Sequence, residues 1–322
     1  MDVFLKRLIE KKVIPDSKIE RIEKFEDQKT MSIFLELRFA LVLGISLLSG
    51  GLGTLVYKNI GTIGHEVLIL AIGMATIFLF WYAFKNKMPF SWLQIQNQSI
   101  LKDFATLGAC VLLLTLEGYL QFQYQIFEES YRLATFMPAI IFIFCAYFFD
   151  HSGVLSMGIV LFGAWLGLNV APKDIFVNSN LNEMRLVYTG ILFGSALVLI
   201  GWVSEIKNLK KHFAFLYNFI GGNLAFVALL TALFDYKHKF IYLLLILLLC
   251  IFCIIQARKT QSYMLLLMGV IYGYIGITYY LFHSLGNLLL FEFYYLYFAL
   301  TCGGIVYFLI NIKKILKNES LQ

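Results

Sequence analysis

The strongest constraint on this chain is a succession of apolar runs, each about as long as a lipid bilayer is thick. Ten can be read from the sequence, at 39–57, 66–84, 103–124, 133–149, 153–170, 186–203, 213–234, 240–256, 262–282 and 288–310. A helix needs roughly 20 apolar residues, within a range of about 17–25, to cross the hydrocarbon core. Backbone polar groups find no water there, so a spanning segment must bond its own N–H and C=O groups. The sequence therefore predicts an all-α polytopic membrane bundle of about ten transmembrane helices. Composition agrees: 60% of the 322 residues are hydrophobic and 14% are charged, whereas soluble domains carry about 25% charge.

The basic residues orient this bundle. If the N-terminus is cytoplasmic, 20 of the 26 Lys and Arg fall in the N-terminal region, the inward loops and the tail. Lys102 and Lys210 are counted among these loop cations. The outward loops hold Lys58, Arg132, Lys173, Arg185, Lys237 and Lys239. The positive-inside bias then places both termini in the cytoplasm. The net charge of +6 serves span orientation and anionic lipid, and is not a nucleic-acid footprint.

Residues 1–30 read as a separate cytoplasmic helical hairpin. Val3, Phe4, Leu5 and Leu8 give a first apolar stripe, Val13-Ile14-Pro15-Asp16 a turn, and Ser17 with Glu20 a capping box. Ile19, Ile22 and Phe25 line the second helix. A unit this small cannot hold a core alone. It is expected to dock on the membrane domain, on lipid, on a partner protein or on its own copy, unless it is only a solvated leader. Residues 39–310 form the transmembrane domain and 311–322 a cytoplasmic tail.

One span is unlike the others. Residues 103–128 place Asp103, Thr106, Cys110, Glu117, Gln121, Tyr124 and Glu128 on one helical face, interrupted by Leu113 and Leu114. Fourteen residues at 1.5 Å put Glu117 about 21 Å above Asp103, in a core about 30 Å thick. An acid at depth costs about 2.5–3.5 kcal/mol, so it pairs, protonates or faces water. Glu117 is accordingly either a proton- or cation-linked site or a protonated lock between helices. At the outward ends of the last two spans, Tyr279, Tyr280, His283, Glu292, Tyr294 and Tyr295 gather. Tyr is common at membrane interfaces, but Glu292 amid Leu and Phe is not explained that way.

Glycines at four-residue spacing, Gly163/Gly167, Gly190/Gly194 and Gly269/Gly273, predict close helix approach. Cys250 and Cys253 lie in a wholly apolar run and read as buried small residues. All five cysteines fall in apolar runs, which argues against a disulfide framework. No metal-ligand spacing, GxSxG, HExxH or phosphate-binding glycine loop is present, so neither a cofactor nor a metal is expected.

The charged leader (Leu8-Ile9-Glu10-Lys11-Lys12-Val13-Ile14, with Ile19 and Ile22) precedes a glycine-rich first span ending in Tyr57-Lys58-Asn59. A third span then ends in Gln121-Phe122-Gln123-Tyr124. This order, over roughly residues 1–150, resembles a family of uncharacterised bacterial multi-spanning membrane proteins, a domain of unknown function with an N-terminal cytoplasmic hairpin. Val13 stands where the family tends to have Gly. The resemblance implies a bacterial inner-membrane protein and supplies no activity.

Three functions fit these residues. The first is a carrier or channel for a small solute or ion with a polar site near Glu117. The second is a non-catalytic scaffold or partner subunit of an envelope complex. Least supported is a membrane enzyme acting on a lipid-linked substrate. The expected partners are the bilayer and either another protein or a second copy of the chain bound through residues 1–30, with no nucleic acid.

Overall fold

In the computed structural model, residues 64–94, 100–127, 131–170, 183–285 and 291–316 are described, with the single positions Leu47, Gly51 and Thr54. The proposed hairpin, most of the first apolar run and the end of the tail lie outside the described residues. Two compact units divide the chain at Leu68 and Ile69, and nearly all described residues belong to the second.

Apolar sequence with few internal breakers gives helix throughout. Among the described residues there are nine helices and no strand: α1 (His65–Lys85), α2 (Ile100–Tyr124), α3 (Tyr131–Phe149), α4 (Ser152–Val170), α5 (Met184–Ile206), α6 (Lys211–Asp235), α7 (Lys239–Thr260), α8 (Tyr263–Leu285) and α9 (Phe291–Leu316). They coincide with the second to tenth apolar runs. Seven of them, α1 and α3–α8, are long and apolar enough to cross a membrane. The other two differ in kind: α2 carries Lys102, Asp103 and Glu117, and the apolar part of α9 is Phe293–Phe308.

Short connections make neighbours of consecutive helices. Only Asp150 and His151 separate α3 from α4, and only Gln261 and Ser262 separate α7 from α8. The chain reverses there through non-glycine residues in the left-handed region, Asp150 at φ 61° and Gln261 at φ 52°, with Asn208 and Lys210 at 53° and 49° between α5 and α6. That conformation crowds Cβ against the backbone.

The helix that organises the bundle is α6. More than half of its residues are buried, and they contribute to two apolar cores. Phe226, Leu229 and Leu233 pack with Ile246, Cys250 and Leu266 of α7 and α8. Phe213 and Tyr217 join the other core, with Phe142 and Phe149 of α3, Leu155 of α4 and Cys110 of α2. Lipid is as apolar as these side chains, so close packing rather than exclusion from water holds such helices together.

Glycine makes the tightest contact possible. A Cβ at Gly194 would lie 2.6 Å from the Ala225 backbone N and 2.7 Å from the Gly221 carbonyl. At Gly201 it would meet Asn218 Oδ1 at 2.6 Å. The same logic joins α7 to α8, where Gly269 and Gly273 sit on Cys253 and Cys250. Gly194→Ala should therefore lower thermal stability in detergent, since overpacking costs typically about 1–3 kcal/mol. At Gly303 an added Cβ would meet nothing within 4 Å, so Gly303→Ala should be silent or mildly stabilising. Indistinguishable melts for the two variants would contradict this packing.

Candidate functional site

The residues nominated on α2 take different positions. Its buried side chains are Lys102, Ala105, Thr106, Ala109, Cys110 and Gln121, one helical stripe facing α3 and α4. Thr106, Cys110 and Gln121 of the nominated face are thus interior, Asp103 and Glu117 are half-buried, and Tyr124 is exposed. Glu128 lies outside the described residues.

Most of these polar groups are used locally. Thr106 Oγ1 donates to the Lys102 carbonyl one turn back, at 2.9 Å. Gln121 Oε1 accepts from the Phe127 backbone N–H at 2.9 Å, closing the end of α2. Glu117 is different: its Oε1 is buried and has no hydrogen-bond partner among the described residues.

Tyr279 belongs to another cluster. Its hydroxyl donates to the Phe234 carbonyl at 3.1 Å and accepts from Lys239 Nζ at 2.8 Å, and its ring stacks on His283. Lys239 also donates to the carbonyls of Leu233 and Phe234, so a cation caps the C-terminus of α6. The contacts of Tyr279 involve no residue of α2. Glu292 is the second residue of α9.

Sequence inspection missed the densest charged cluster, where the connections α1–α2, α3–α4 and α5–α6 meet. Lys210 Nζ lies 2.6 Å from Asp150 Oδ1, with the two side chains 0% and 1% exposed. His212 Nε2 lies 2.8 Å from the same oxygen. That distance sets the imidazole directly against the Asp150 carboxylate, and both ring nitrogens are buried. Lys210 further lies over the Phe90 ring and donates its backbone N–H to the Trp92 carbonyl at 2.7 Å. Lys102, also buried, donates to the Phe149 carbonyl at 3.3 Å. His151 Nδ1 accepts from the Val154 N–H and so caps α4. Burial holds the His151 pKa below the ordinary histidine value, outweighing the nearby Asp103 carboxylate that raises it.

Beside this cluster, Glu205 at the end of α5 is bonded by Gln256 and lies 3.1 Å from Lys259 Nζ. Lys102 and Lys210, read from sequence as solvent-facing loop cations, are therefore interior. Asp150 was the available signal: an acid in a two-residue connection between apolar runs has little water to face.

Further polar groups continue along α6. Tyr217 bonds Tyr147 hydroxyl to hydroxyl at 2.9 Å, Asn223 accepts from Tyr272 at 3.0 Å, and buried Asn218 has no hydrogen-bond partner for either amide atom. A cavity of about 620 Å³ lies between α4, α5 and α6, lined by Ile159, Gly163, Gly167, Gly190, Leu224 and Thr231 among others. None of the nominated residues lines it. Its two threonines, Thr189 and Thr231, bond carbonyls of their own helices, which leaves an apolar wall. No group of three or more His, Cys, Asp or Glu placed to hold a metal occurs among the described residues.

Residues 6–155, from before α1 into the first turn of α4, match a family described as Predicted membrane protein (DUF2157). This is a match to an uncharacterised membrane-protein family. No curated protein and no solved structure matches the chain. The matched family and the seven apolar helices identify a multi-pass membrane protein of unknown function.

Proposed function

We propose that this protein is a carrier or channel for a proton or a small cation-linked solute, with Glu117 as its charge-bearing group. The supporting observation is the Glu117 carboxyl, which has a buried oxygen without a partner two turns before the C-terminal end of α2. Packing does not account for it. Thr106 and Gln121 on the same face are bonded within or beside their own helix, whereas an acid at this depth must protonate, bind a cation or meet water. In this reading ten spans place both termini in the cytoplasm of a bacterial inner membrane, with 1–30 as a cytoplasmic hairpin.

Wetness at Glu117 can be measured without knowing the substrate. In a background with the five native cysteines replaced, Glu117→Cys should react in intact membranes with a small water-soluble thiol reagent. Val111→Cys, whose native side chain is exposed on the same helix and would face lipid, should not. Equal protection at both positions would defeat the pathway reading.

The apolar cavity favours a second reading, a partner subunit in a membrane complex. A space of this size falls within the roughly 300–1,000 Å³ of ligand pockets, and its wall suits an apolar chain rather than an ion.

A further inference from the structure

The charged cluster at the connections has a composition that suits a proton-sensitive clasp. Six titratable side chains converge from three elements. Lys102 and Asp103 come from α2, Asp150 and His151 from the α3–α4 connection, and Lys210 and His212 from the α5–α6 connection. With both histidines neutral, the two lysines and two aspartates balance. The surrounding charges are engaged elsewhere: Glu205 is held by Gln256 and Lys259, and Lys87 lies over the Phe84 and Phe148 rings.

The two histidines differ. His151 Nδ1 already accepts the Val154 N–H, a role that an extra proton on that atom would abolish. His212 has no such commitment. Its Nε2 faces the Asp150 carboxylate at 2.8 Å, and its side chain is 17% exposed while its neighbours Lys210 and Asp150 are closed off. Its ring nitrogens are themselves buried, so a proton reaches them when the connection opens. We infer that His212, set against the Asp150–Lys210 pair, is a proton-binding site whose occupation loosens the clasp between the α3–α4 and α5–α6 connections.

The force is electrostatic. Protonated His212 would join Lys102 and Lys210 as a third buried cation, against only Asp150 and Asp103. Unbalanced charge in a poorly solvated site is costly, and admitting water relieves it. The opened, hydrated arrangement therefore holds the proton more tightly than the closed one, and acid shifts the balance toward it. Asp150 and Lys210 already sit in the left-handed region, a conformation retained only while surrounding contacts enforce it.

The inference goes beyond the Glu117 reading and does not depend on it. The test is hydrogen exchange of the full-length protein in nanodiscs, corrected for intrinsic rates, at about pH 7.5 and about pH 5, which bracket histidine titration. Segments 149–153 and 204–212 should exchange about tenfold faster in acid, equivalent to one pKa unit of differential proton affinity between closed and open forms. His212→Gln should remove the acceleration and His151→Gln should keep it. Asp150→Asn should exchange fast at both values. If Asp150→Asn does not accumulate, the two histidine variants still decide. A wild-type protein with no acid response, or a response that survives His212→Gln, overturns the inference. Ion movement through the protein is not read by this experiment, so its failure leaves the Glu117 reading standing, and the converse also holds.

Discussion

Asp150→Asn is expected to be the most damaging conservative substitution in the described bundle. Asn keeps the shape of Asp and tolerates the left-handed conformation at this position, so backbone strain does not enter. What disappears is the charge beside Lys210 Nζ, 2.6 Å away in a site 0% exposed. Removing one partner of a buried pair costs about 3–5 kcal/mol, because the remaining ion has neither water nor counter-charge. For a chain of this size that corresponds to a fall in melting temperature of roughly 10 °C. The double variant Asp150→Asn with Lys210→Met should recover most of the loss, since replacing both ions by uncharged groups is often neutral. Thermal melts of the two variants and the wild type, in one detergent, check this. A double variant no better than the single one would show that the pair is not what holds the two connections together.

The sequence carried the helices well and the charges poorly, for a physical reason. Helices such as α7 and α8 are uninterrupted apolar stretches, and in lipid such stretches have almost no alternative to helix. Close approach was legible too, because only small residues permit it: Gly190 and Gly194 do meet α6, and Gly269 and Gly273 do meet α7. Gly163 meets Phe193 of α5, where an added Cβ would lie 3.2 Å from the ring, and with Gly167 and Gly190 it also lines the apolar cavity. Spacing alone does not distinguish a face in contact from one left open.

The Asp150 cluster was hidden because its members are far apart in the chain. Lys102, Asp150 and Lys210 each read singly as an ordinary loop charge. Only the meeting of three helix connections buries them together. The same limit applies to α6. Its polar residues His212, Tyr217 and Asn223 are spread over a helix that looks unexceptional beside α2, and the groups they meet lie on the α3–α4 connection, α3 and α8. By contrast, the polar face of α2 was visible from helical spacing. Its Thr106, Cys110 and Gln121 are buried and its Tyr124 is exposed, an assignment that depends on where α3 and α4 pack.

The proposed role of Glu117 is tested most directly by ion movement in liposomes. Purified protein would be reconstituted with a pH-sensitive dye trapped inside, and an imposed potential would drive protons inward. The wild type should acidify the lumen faster than protein-free liposomes. Glu117→Gln keeps size and hydrogen-bonding capacity but cannot carry a proton, so its flux should fall by about a hundredfold or more, the low end of what a positioned proton-transfer group contributes. Its melting temperature should stay within about 2 °C, because an interhelical hydrogen bond in a membrane averages only about 0.6 kcal/mol. A wild-type flux no greater than that of empty liposomes, or a Glu117→Gln variant that conducts as the wild type does, would contradict the account.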